Sequence, residues 1–139
     1  MTPRLHETAE TEQTWVLGPL TGPMLSTNDQ MHWRPKAEIT RRWRTDARVL
    51  AQAANVPHLE RVRIVVEWLP PDRRRRDPAN LALIAKAITD GLVDAAVVAD
   101  DDHLHVSGPY CELGELTRPR IPARRICQVR ILITREVSP

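Results

Sequence analysis

Asp77 and the run Asp100, Asp101 and Asp102 stand on either side of a stretch that carries Lys86 and Asp90. Carboxylates are hard oxygen donors, and several gathered at one point suit a divalent cation such as Mg²⁺, or Mn²⁺ in its place. Arg73, Arg74, Arg75 and Arg76 come directly before Asp77, and guanidinium groups suit phosphate oxygens. A cation site beside a phosphate site is what hydrolysis of a phosphodiester needs.

Each of these residues also has a purely structural reading. Asp77 before Pro78 is a helix-start signal, because an Asp cap accepts backbone N–H bonds and Pro is tolerated at the first helical position. Lys86 and Asp90 are one helical turn apart and can pair with each other. Three adjacent aspartates repel, so the run is either a solvated turn or a cation site. If a strand follows at once, Asp101, His103 and His105 fall on one side of it. The two histidines would then suit a transition metal, but no cysteine or further histidine completes such a set.

Elements of regular structure must position these groups. The chain has 139 residues and a formal charge of +2, enough for one domain with a real core. Residues 1–13 are polar, without periodicity, and read as a disordered tail, leaving 14–139 as the domain. A short strand is expected at 15–17 and a loop at 18–28. Over 35–55 the apolar residues Ile39, Trp43, Ala47, Leu50, Ala51 and Ala54 recur at helical spacing. Arg41, Arg44 and Arg48 share another face of that helix, either a solvated ridge or a contact for a nucleic-acid backbone. Residues 61–68 are rich in β-branched types and read as a strand.

A second helix is expected from Pro78 to about residue 95, burying Leu81, Ile84, Ala85, Ile88 and Leu92. Strands at 103–111 and 126–136 complete the order strand, helix, strand, helix, strand, strand. That order implies an α/β domain of mixed α+β character, a small mixed sheet packed against two main helices. Cys111 and Cys127 need no disulfide framework. The absence of a long apolar run and of a signal-like N-terminus points to a cytoplasmic protein without membrane association.

Together the motif residues resemble the RusA-type Holliday-junction resolvases. That family's pattern is a basic stretch, then Asp-x-Asp-Asn opening a helix that carries Lys and Asp-x-Leu, then an Asp pair about eleven residues on. Here the basic stretch is Arg73, Arg74, Arg75 and Arg76, followed by Asp77-Pro78-Ala79-Asn80, Lys86, Asp90-Gly91-Leu92 and Asp100-Asp101. Upstream, Ser26-Thr27-Asn28 leads into a basic helix, as in the family. Ala79 takes the second acidic position, and the interval from Asn80 to Lys86 is about one helical turn longer than in the best-known members.

The resemblance implies a metal-dependent endodeoxyribonuclease, working as a homodimer on branched DNA such as a four-way junction. Asp77, Lys86 and Asp101 carry over as catalytic, with Asp77 and Asp101 as metal ligands. A methyl group binds no metal, so a third carboxylate must come from Asp100, Asp102 or Asp90. Arg73 to Arg76, the ridge Arg41, Arg44 and Arg48, and the asparagines Asn28 and Asn80 are the expected DNA contacts. The competing reading keeps the fold and the binding of branched DNA but loses cleavage, with Ala79 as the lesion.

Overall fold

Val62, Ile64, Val65, Val66 and Trp68 are all buried in one seven-residue strand, β2 (Val62–Trp68). A strand reads this way when it is central in its sheet. The computed structural model, which describes residues 13–26, 33–117 and 126–137, puts it there. Before it come β1 (Thr14–Pro23) and helix α1 (Trp33–Ala53); after it come a 3₁₀ turn (Pro78–Leu81), helix α2 (Ala82–Asp94), β3 (Val106–Leu113) and β4 (Ile126–Arg135). The sheet order is β1-β4-β2-β3, with β2 and β3 parallel and the other pairs antiparallel. Joining parallel neighbours requires a crossover, and the stretch carrying α2 supplies it.

The expected fold class holds: a small α+β domain with a mixed sheet and two helices. Alternation in β4 sends Cys127, Val129, Ile131 and Ile133 into the core with Ile64 and Val66 of β2. Trp43, Ala47 and Ala51 of α1 and Ile84, Ala85, Ile88 and Leu92 of α2 cover that face. Trp43 also donates its indole N–H to the Pro23 carbonyl at 2.8 Å, fixing α1 against β1. The helices meet at Gly91, where a Cβ would lie 2.2 Å from the Arg44 carbonyl oxygen and 3.0 Å from the Ala47 Cβ.

Three expectations need correction. The loop expected from residue 18 is strand as far as Pro23, because β4 pairs with both halves of β1 and the register slips between Leu17 and Leu20 at Gly18-Pro19. Gly18 takes φ +111°, open to glycine and costly for other residues. Strand β3 begins at Val106 rather than 103, since residues 103–105 are a turn closed by Asp102. The alternation expected for Asp101, His103 and His105 therefore does not apply. Finally, α1 ends at Ala53, leaving Ala54 exposed.

Of the tail expected at 1–13, residues 1–12 lie outside the described residues, as does Asn28, whereas the Gln13 carbonyl accepts the Arg135 N–H at 2.8 Å and continues the pairing of β1. Among the described residues, no helix is long and apolar enough to cross a membrane.

Candidate functional site

Asp77 does act as a cap. Its Oδ1 accepts the Ala79 N–H at 3.0 Å and its carbonyl accepts the Asn80 N–H at 3.0 Å. What it caps is the 3₁₀ turn rather than the α-helix itself. Leu81 is fully buried at the end of that turn, and from Ala82 the α2 stripe is anchored in the core. Lys86 and Asp90 are thereby held on the opposite, outward side of the helix.

Helix α2 ends in a Schellman arrangement. The Val97 N–H returns to the Leu92 carbonyl at 3.0 Å and the Ala96 N–H to that of Val93 at 2.9 Å, with Ala96 at φ +61°. Val97 and Val98 are buried, and the Val97 carbonyl accepts the Leu59 N–H at 2.7 Å. The chain therefore leaves the helix on a fixed course and brings the aspartate run back beside Lys86.

The run divides its labour. Asp101 turns Oδ2 onto the Lys86 ammonium, which also donates to Asp90 Oδ1 at 2.9 Å. The bond to Asp101, and after it the bond to Asp90, raises the Lys86 pKa above the ordinary lysine value. Lys86 in turn holds Asp101 below the usual carboxylate range. Asp100 accepts the Asp101 N–H at 2.7 Å. Asp102 belongs to the turn instead: its Oδ1 accepts the Leu104 N–H at 3.0 Å and the His105 N–H at 3.1 Å. The same oxygen takes His105 Nδ1 at 2.6 Å, and that hydrogen bond, first among several, lowers the Asp102 pKa.

Lys86, Asp90 and Asp101 are thus brought together, with Asp100 adjacent. Asp77 is bonded to its own turn and Asp102 to His105. Two carboxylates around one ammonium form an oxygen-only donor set, the kind that suits Mg²⁺. Among the described residues, no group of three or more His, Cys, Asp or Glu is gathered as a ligand set. The trio is open, with the Lys86, Asp90 and Asp101 side chains 57%, 27% and 33% exposed. A cleft of about 380 Å³ is lined by His58, Glu60, Arg61, Ala99, Leu104 and His105 and includes none of them.

The arginines divide as well. Arg76 is only 15% exposed at its side chain: it donates to Asp72 and to the carbonyls of Asp72 and Arg74, and lies over the Trp68 ring. It organises the loop that presents Arg73, Arg74 and Arg75, all exposed. Among the described residues no ion pair holds Arg73 or Arg75, and Arg74 meets Asp72 loosely at 3.8 Å. Arg44 is bound to Asp94, while Arg41 is exposed and Arg48 half-buried on α1. Spacing does not single out Asp72 or Asp94, and it offers His105 as a metal ligand with His103 rather than as the partner of Asp102. The Asp102-x-x-His105 pair is local and has a turn signature, whereas Arg44 and Asp94 are fifty residues apart and nothing in either neighbourhood links them.

No protein-family model matches the chain, and no curated protein matches it.

Proposed function

We propose that this chain is a metal-dependent endodeoxyribonuclease of the RusA type, hydrolysing phosphodiesters in four-way junctions or related branched DNA and working as a homodimer. The observation that carries the reading is the meeting of Lys86, Asp90 and Asp101. Residues spread over fifteen positions, the same ones that match the family's pattern, converge outside the core, where a fold gains little from them. The openness of the trio also favours a polymer over a small molecule, which would be bound in an enclosed pocket.

Asp77 and Asp101 would hold Mg²⁺ or Mn²⁺, with a third carboxylate from Asp90, Asp100 or Asp102. When bound, the ion supplies charge at the scissile phosphate and a water of lowered pKa. Lys86 places a positive charge where negative charge grows on the phosphate. Arg73, Arg74 and Arg75 contact the backbone and set the position of the DNA without reading its sequence. Arg76 contributes through the loop it holds.

The test is cleavage of a synthetic four-way junction against a matched linear duplex, with Mg²⁺, Mn²⁺ or EDTA. Metal-dependent cutting of the junction, lost in Asp77→Asn and Asp101→Asn, is the expected result; no cutting in either metal rejects the nuclease. The second reading, a binder of branched DNA that does not cut it, is favoured by Ala79 and by the use of Asp77 as a cap. Salt-sensitive junction binding without cleavage selects it.

A further inference from the structure

Asp90 and Asp101 come from different segments, one on α2 and one beyond it, and the Lys86 ammonium is bonded to both. Two carboxylates that share one position repel, and a positive charge between them relieves that repulsion. Lys86 supplies it from within the chain. The ammonium is held by Asp90 Oδ1 and Asp101 Oδ2 together, so a divalent ion seated between the same two carboxylates competes with it for that position.

We infer that Lys86 is a resident counter-ion that occupies the cation position between Asp90 and Asp101 and is released when a divalent ion binds. The inference rests on the proposed function's reading of these carboxylates as metal ligands. The side chain is 57% exposed on a flexible four-carbon stem, so a released ammonium is rehydrated with little reorganisation of the fold. The other nearby cation, Arg44, is held by both oxygens of Asp94 and cannot take its place. Release places a free ammonium beside a newly bound metal, so the loaded site presents two positive groups to an anionic substrate where the unloaded site presents none. Metal loading and phosphate recognition are then one event.

Two measurements test this. Mn²⁺ binding is followed by electron paramagnetic resonance in the wild type, Lys86→Met, Lys86→Gln and Asp101→Asn. Both Lys86 variants are expected to bind Mn²⁺ about tenfold more tightly or better, and Asp101→Asn to lose the site. Equal or weaker binding by both Lys86 variants, with the site still lost in Asp101→Asn, overturns the inference and leaves the metal site standing. Absence of Mn²⁺ binding in all four proteins overturns both.

Removing any positive charge also tightens cation binding, so the second measurement reads release itself. Lys36 and Lys86 are the chain's only lysines, and reductive ¹³C-methylation therefore gives two side-chain resonances, assigned with Lys36→Arg. Saturating Mg²⁺ should move the Lys86 resonance toward that of a solvated lysine and leave Lys36 in place. A Lys86 resonance unchanged at saturation overturns the inference.

Discussion

Arg44 and Asp94 clamp the two helices together, the guanidinium donating Nε to one carboxylate oxygen at 2.6 Å and Nη2 to the other at 2.8 Å. That bidentate bond raises the Arg44 pKa and lowers that of Asp94. Arg44 is therefore a stability residue on a face that otherwise offers basic charge. Arg44→Ala should lower the urea midpoint, and Arg44→Lys should recover only part of the loss, because a point charge does not reproduce the fork. Full recovery by lysine would show that charge alone matters.

The four arginines before Asp77 should separate into two classes. Arg73→Ala and Arg75→Ala should each reduce the slope of log K against log salt for DNA binding by about 1, with the melting temperature unchanged. Arg76→Ala should instead lower stability, because it removes the donor that closes the loop onto Asp72 and the cation over Trp68. Binding isotherms at four salt concentrations, set beside thermal melts, distinguish these outcomes.

Acid should destabilise the fold through identifiable carboxylates. Asp94, Asp101 and Asp102 titrate below the ordinary range in the folded protein, whereas in the unfolded chain they titrate near 3.9, approximately. The unfolded state thus binds more protons in that interval. The stability from these groups is present above the unfolded value and is lost as pH falls through the folded ones. Lys86, shifted upward, behaves oppositely, and its contribution disappears only as pH rises through its folded value. Urea midpoints from pH 6 down to 2.5 should fall, less steeply in Asp94→Asn; a flat profile in the wild type contradicts the assignment.

Gly91→Ala should be among the most damaging small substitutions. The added methyl meets the Arg44 carbonyl and the Ala47 side chain, so α1 and α2 must separate, at a cost of about 2–3 kcal/mol from overpacking. Alanine's better helix propensity offsets only part of this, about 1 kcal/mol. Denaturant unfolding of Gly91→Ala against Ala37→Gly, at an exposed position of α1, separates crossing geometry from propensity.

Ala96→Gly should stabilise. Ala96 holds the left-handed position after α2 at φ +61°, a conformation costly for alanine and open to glycine. The expected gain is about 0.5–1 kcal/mol, after allowing for the greater freedom of glycine in the unfolded chain. The equivalent position after α1 is Asn55 at φ +55°, which already tolerates this geometry, so Asn55→Gly should change little.

Periodicity alone makes both helices and the central strand legible. The apolar spacing of Trp43, Ala47 and Ala51, and that of Leu81, Ile84, Ala85, Ile88 and Leu92, is dictated by burial and is realised. The length of β1 was not legible, because Gly18-Pro19 reads as a loop by local chemistry and is strand only because β4 supplies partners for both halves. At the candidate site, Lys86 with Asp90 was legible as an i,i+4 pair. The return of Asp101 to the same ammonium depends on the Schellman turn at Ala96 and the burial of Val97 and Val98, which no local pattern specifies. The partners of Arg44 and Arg76 were hidden for the same reason, since solvated and bonded arginines look alike in a sequence.

The sheet's two outer strands, β1 and β3, each slip register at a Gly-Pro pair, Gly18-Pro19 and Gly108-Pro109. Proline offers no N–H, and a bulge breaks the even ladder that an incoming strand would need. Neither border is a usable template for extension. A concentrated solution of this protein should therefore resist fibril formation by strand addition, and deleting either interruption would create a sticky edge where the sheet of the described residues now has none.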